Sequence, residues 1–210
     1  AKTITASVAR ETFSTLMDHG YRAKIIQITA KEKMCLCDEM ECNPINCPYA
    51  KGHFDRVNDA VYELLQEKDM FMREDLLEHA RKHQVCPFEM SLDVATWCDD
   101  IVCDYNYVFD PNVYLKRFFQ EGIKGDYIFL VDESHNLVER SREMYSAALY
   151  KEDFLMVKKI LKPYSKWLVK LLDKCNKQLL EYKRECENYV VYENVGGLIF
   201  SLMRLSSELD

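Results

Sequence analysis

The sequence predicts an α/β fragment, predominantly helical, built on a partial parallel-sheet core. Three observations carry this expectation. Short β-branched runs alternate with helix-period segments over the first 135 residues. The apolar run at 127–131 lacks the polar alternation of a half-exposed strand, so it reads as buried on both faces. Beyond Ser134 the pattern is almost wholly helical.

Taken in order, residues 1–19 carry Val8, Phe13, Leu16 and Met17 at helical spacing, and His19-Gly20 supplies a stop. The isoleucine-rich stretch 22–29 reads as a strand. A cysteine loop follows. Phe54, Val57, Val61, Leu64 and Leu65 predict an amphipathic helix over 53–68, and Leu76, Leu77 and Ala80 a second over 73–84. Pro87, directly after Cys86, suits the first turn of a third helix. Residues 100–104 form another short strand, broken by Asn106 and Asp110-Pro111, and a helix is expected to run to Gln120.

The C-terminal part holds a seven-residue repeat. Leu161, Leu168, Cys175 and Tyr182 make one seam; Ser165, Leu172, Leu179 and Cys186 are its companions. Such a repeat predicts a long helix packed lengthwise on a neighbour, with Pro163 near its start. A last helix over 196–209 would bury Leu198, Ile199, Leu202 and Leu205.

The chain has 28 basic and 35 acidic residues among 210, a net charge of −7. That balance excludes a wholly basic nucleic-acid coat. A local patch is another matter: residues 151–184 carry ten Lys/Arg and four Asp/Glu, a face suited to phosphates or simply to solvent. No apolar run approaches the ~18–20 residues of a membrane span, and AKTITASVAR lacks a signal-peptide core. A cytoplasmic or otherwise intracellular chain without membrane contact is therefore expected. The first residue is not Met and the chain opens inside apparent structure, which suggests a piece of a longer protein.

Four of the nine cysteines (35, 37, 42 and 47) fall within thirteen residues. An odd count with no secretory signal argues against a disulfide framework. Cys98, Cys103, Cys175 and Cys186 read as small buried hydrophobes. The 35–47 segment is polar, so its thiols point to a metal. No pair has the two- or three-residue gap favoured by zinc ribbons; 37/42 and 42/47 are each separated by four. Wider spacing suits an iron–sulfur cube held by four thiolates, while zinc stays open.

At the end of the apolar run stands Val131-Asp132-Glu133-Ser134-His135. A carboxylate at the C-terminal end of a parallel strand faces the crevice where α/β proteins bind ligands. In nucleotide hydrolases the Asp holds Mg²⁺ and an adjacent Glu takes the proton of the attacking water. His135 is in position to relay nucleotide state. The alternative is that both acids merely cap the next helix.

Asp132-Glu133-Ser134-His135-Asn136 resembles a DEAH box, and the upstream DYNYVFDP resembles the segment before that box in XPD-like and DinG-like helicases of superfamily 2. The order of Thr3-Ile4-Thr5, the cysteine cluster, Cys86-Pro87-Phe88, DYNYVFDP, the acidic box and the heptad helices is similar over essentially the whole chain. The resemblance implies a partial first motor domain at 1–30, an inserted four-cysteine iron–sulfur domain at 31–97, the motor domain resumed at 98–135, and a helical Arch domain at 136–210. It implies Cys35, Cys42, Cys47 and Cys86 as ligands of a [4Fe-4S] cluster, with Cys37 fitting less well. Asp132 is implied as the Mg²⁺ ligand and Glu133 as the catalytic carboxylate of ATP hydrolysis. Thr3 and Thr5 would touch the DNA backbone; Lys31 and Lys33 stand where they could meet a phosphate or a neighbouring carboxylate. Ser134 departs from the usual Ala and is small enough to fit.

The resemblance further implies an ATP-dependent helicase moving 5′ to 3′ along single-stranded DNA at forks or duplexes, in repair or replication. Yet no G-x-x-x-x-G-K-[ST] occurs among the six glycines, so nothing here cradles the β- and γ-phosphates. The chain alone is expected to be inactive. A zinc-binding, non-catalytic interaction module is the competing expectation.

Overall fold

The computed structural model describes residues 3–123 and 125–209, with side chains from Ser7 onward. They fall into two compact units, Ala1–Tyr145 and Ser146–Asp210. Mostly helical, the chain holds one small parallel sheet.

The first unit opens with α1 (Thr3–Asp18), where the Thr12 and Thr15 hydroxyls donate back to the carbonyls of Val8 and Glu11. Gly20 takes φ +97°, the left-handed stop that His-Gly predicts. Strand β1 (Ile25–Gln27) is the centre of the sheet. It pairs in parallel with β2 (Met70–Phe71) on one side and β3 (Asp100–Val102) on the other, with Ile25 opposite both Met70 and Asp100. Lys24, just before β1, ties these connections: its N–H donates to Asp99 Oδ2 at 2.8 Å, and its Nζ to the Leu65 carbonyl at 2.7 Å and to Asp69 at 2.9 Å. Two-residue β2 carries too little pattern to be read from sequence.

Around the sheet stand α2 (Lys31–Met34), α3 (His53–Glu67), α4 (Arg73–His83) and α5 (Pro87–Ala95). Their apolar faces close one core in which Ile26, Met34, Leu64, Phe71, Leu76, Val85, Met90 and Val94 are completely buried. Each such side chain contributes roughly 1.5–3 kcal/mol of hydrophobic stabilisation. Phe54 was expected in this core and is instead 86% exposed. The helix turns about 100° per residue, and His53 takes the inward position, leaving its neighbour outside.

Two further expectations need correction. The helix leading to Gln120 is only two single turns, α6 (Asn106–Phe109) and α7 (Lys116–Phe119). Asp110 breaks the path, accepting from the Asn112 N–H at 2.8 Å ahead of Pro111-imposed geometry. The apolar run 127–131 is not a strand. Ile128 and Leu130 are 92% and 94% exposed. A strand buried on both faces needs a ladder and covering layers, and the described residues give 127–131 neither: the sheet ends at β2 and β3. After it come a 3₁₀ turn (Ser134–Asn136) and α8 (Leu137–Met144).

The second unit packs α10 (Lys166–Arg184) against α9 (Lys151–Leu161) and α11 (Gly196–Ser207). Leu168, Leu172, Cys175, Leu179 and Tyr182 of the heptad seam all join its core, together with Phe154, Leu171, Leu198 and Leu205. The seam is interrupted where Pro163 separates α9 from α10, and Ser165 serves as N-cap, its Oγ accepting from the Leu168 N–H at 3.2 Å. Cys186 lies beyond the helix end, and Ile199, expected inside, is 49% exposed. Lys158 and Asp173 pair at 2.6 Å between α9 and α10. Among the described residues no helix is long and apolar enough to cross a membrane.

Candidate functional site

The core itself brings remote cysteines together. Cys35 follows Met34, and Cys86 follows Val85; both preceding side chains are completely buried. Each thiol therefore stands one residue outside the same hydrophobic core. Cys35, Cys37, Cys42, Cys47 and Cys86 line one small cavity, closed by Lys31, Tyr49 and Phe88. The loop between is turn-rich, with the Asn43 side chain accepting from the N–H groups of Ile45 and Asn46 at 3.0 and 2.9 Å.

Two residues not singled out from sequence fix the far side. Cys86 is the N-cap of α5, with Pro87 at its first position. Its N–H donates to Nδ1 of the buried His53 at 3.2 Å. Burial holds the His53 imidazole below its ordinary pKa, so it accepts as the neutral ring. Arg56 donates to the carbonyls of Lys51, His83 and Gln84. It thus joins the end of the cysteine loop to the turn before Cys86. Gly52, at φ +67°, makes this possible: a Cβ there would stand 2.5 Å from Arg56 Nη1. A buried His opening a helix, with Arg three residues on and Gly just before, was the available signal.

The donor set fits a thiolate-held group. Cys37 and Cys47 sulfurs lie 3.8 Å apart, the edge a tetrahedral zinc with ~2.3 Å bonds would impose. Yet among the described residues no three thiols gather within 4.8 Å of one another. One ion needs all its ligands that close; a four-iron cube holds its thiolates farther apart. Burial, then hydrogen bonding with Cys47, pushes the Cys37 thiol up to about 11, and burial also raises Cys86. The bare Cys37 and Cys86 thiols thus resist ionising, and a bound metal would be what deprotonates them. Burial opposes the Lys31 ammonium, but its hydrogen bond to Cys42 and the charges of Cys42, Glu89 and Cys86 outweigh it and raise its pKa. Its Nζ also sits 5.7 Å from the Phe88 ring centre. Lys33 is exposed and its side chain stands away from the cavity lining; its carbonyl accepts from Arg73 at 2.6 Å.

Three of the other thiols behave as packing groups, whereas Cys186, expected to be buried, is only half-buried and joins neither core. Cys175 is fully buried, and burial lifts Cys98 to about 12 and Cys103 to about 11.

The acidic box is arranged differently. Asp132, Glu133 and His135 are all exposed. Glu133 adopts φ 52°, donates its N–H to Asp132 Oδ1 at 2.9 Å, and its carboxylate lies 3.3 Å from His135 Nε2. A left-handed Glu is uncommon and is characteristic of functional turns. The side chains of Thr3 and Thr5 lie outside the described residues.

Comparison with known proteins gives the same direction. The DEAD_2 family model matches residues 19–154. Over 160 residues the chain is 26% identical to the regulator of telomere elongation helicase 1 of Pongo abelii, covering 71% of this chain and 12% of that protein. It is 29% identical over 130 residues to the general transcription and DNA repair factor IIH helicase subunit XPD/RAD3 of Saccharomyces cerevisiae, covering 62% and 16%. The Fanconi anemia group J protein homolog of Gallus gallus shares 32% over 73 residues, 35% of this chain and 6% of that protein. The chain thus spans a small part of the relatives it matches.

Proposed function

Because the chain belongs to the DEAD_2 family of XPD-like superfamily 2 helicases, we propose that it forms the iron–sulfur and Arch part of an ATP-dependent DNA helicase working 5′ to 3′. The observation that carries this reading is the convergence of Cys35, Cys42, Cys47 and Cys86 on one cavity, closing a loop of about fifty residues. In the proposal these four thiolates hold a [4Fe-4S] cluster, residues 31–97 are its domain, and 136–210 the Arch. When bound, the cluster supplies a cross-link between loop and α5 that a small core cannot provide by itself.

The chain's own residues then have defined tasks. His53 and Arg56 aim Cys86; Lys31 offsets thiolate charge beside the cavity. Asp132 would bind the Mg²⁺ of ATP, and Glu133 would accept the proton of the attacking water. The basic stretch of α9 and α10 would meet single-stranded or fork DNA through phosphates, without reading sequence. Exposed 127–131, not a strand here, would become one on pairing with the rest of the motor sheet. A thiol-held zinc is the second reading, favoured only by the Cys37–Cys47 spacing.

The test is DNA-stimulated ATP hydrolysis. The full-length protein should hydrolyse ATP in the presence of single-stranded DNA, and Glu133→Gln should lower the rate by about 10²–10⁴-fold, the worth of a positioned base. The 210-residue chain by itself should be silent. Hydrolysis by the isolated chain, or a full-length rate indifferent to Glu133→Gln, would overturn the proposal.

A further inference from the structure

Apart from the thiol cavity and the acidic box, α3 and α4 face each other across another set of ligating groups. Glu63 and Glu67 are four residues apart on α3; His79 and His83 are four apart on α4. Each pair therefore shares one helix face. The donor atoms of Glu63, Glu67 and His79 all lie within 4.8 Å of one another.

His79 gives the cluster its direction. It is 6% exposed, and neither ring nitrogen has a hydrogen-bond partner. Nε2 lies 3.3 Å from Glu67 Oε2 without hydrogen-bond geometry. A buried imidazole left so costs stability, and such groups call for an explanation. A ligand on Nε2 would supply one. The surrounding charge suits a cation: Glu63, Glu67 and Glu78 all act on the Lys82 ammonium, and Glu67 and Glu78 also on Lys68. Glu63 pairs with Lys82 and with His83 Nε2, the latter at 2.7 Å, which orients its carboxylate from outside.

We propose that Glu63, Glu67 and His79 form a site for a divalent first-row transition ion, taking one oxygen from each carboxylate and Nε2 from the imidazole. Carboxylates suit manganese and imidazole suits zinc, iron and nickel, so the set selects this class over the softer ions that thiolates favour. Facing helices are a standard place for such ligands. The ion would clip α3 to α4, and α4 leads through Gln84 and Val85 directly to Cys86. Loading would thereby stiffen the approach of a thiol, although the site stands independently of what the thiols hold.

Manganese(II) is the probe of choice, because thiolates compete poorly for it. In the anaerobically purified 210-residue chain, loss of the free-ion EPR signal should report one saturable site. Glu67 is half exposed, so Glu67→Gln keeps the fold; it should weaken binding by at least ~10-fold, the least that losing even an outer partner costs. Glu74→Gln, which removes an exposed carboxylate on α4, should leave binding unchanged. Manganese should raise the melting temperature of the parent chain and not of the Glu67→Gln variant. Absence of saturable binding, or equal binding by parent and Glu67→Gln, would overturn the site and reduce these groups to ion pairs.

Discussion

The cysteine segment and the acidic box lie in one compact unit and behave in opposite ways. Around the cysteines, every needed partner is within reach. Met34 and Val85 seat in the core, His53 and Arg56 fasten the loop to α5, and the thiols converge although the chain between them is long. At 127–135 Ile128 and Leu130 face outward, Tyr127 and Phe129 lean half-exposed on Phe118 and Phe119, and among the described residues the acids pair only with their own neighbours. Local chemistry completes the first region. The second holds residues of the right type whose order depends on neighbours that the sheet of the described residues does not offer. Candidate site residues are thus arranged in one case by packing and in the other only by sequence.

The sharpest contrast should come from single substitutions at the two places. The proposed cluster would give anaerobically purified protein a broad visible absorption, and Cys86→Ser is expected to remove essentially all of it and to lower the melting temperature. Glu133→Gln should change neither, because its side chain is 65% exposed and supports no core. Equal losses from both would erase the distinction.

Core truncation gives the next contrast. Leu64 is completely buried, so Leu64→Ala should cost about 2–5 kcal/mol in denaturant unfolding. Leu130 is 94% exposed, and Leu130→Ala should stay within about 0.5 kcal/mol. A large cost at Leu130 would mean that 127–131 is buried after all.

Arginine substitutions narrow the comparison. Arg56→Ala leaves three backbone carbonyls without their donor and should cost about 1.5–3 kcal/mol, as charge-assisted hydrogen bonds do. Arg140, in the exposed pair with Glu143 on α8, should cost no more than about 1 kcal/mol.

A pH titration gives the smallest effect. Hydrogen bonds from Lys82 and His83 hold the Glu63 carboxyl down to about 2, below its ordinary value of 4.5. A depressed folded pKa stabilises the native state above the unfolded value, and that stability is lost as pH falls toward the folded one. Melting temperature should therefore decline between about pH 4.5 and 2 more steeply in the parent than in Glu63→Gln. Superimposable profiles would show that the Lys82 and His83 contacts do not persist in solution.

Much of this was legible in the residues. Helix period over 53–67 and 73–83, Pro87 after Cys86, and the heptad positions of α10 all read correctly, since each is a local pattern backed by burial. Phe54 misled because apolarity does not state which side of a helix turn faces in, and His53 won that position. The 127–131 run misled because a strand is a pairing, not a composition. His53 and Arg56 went unseen since their contacts span up to 33 residues of sequence.

Iron, acid-labile sulfide and zinc assayed on the same anaerobically purified chain test the central claim most directly. Convergent thiolates holding a cube predict iron and sulfide in equal amounts, about four of each per chain, with zinc absent. One tightly bound zinc, colourless and without sulfide, would contradict it.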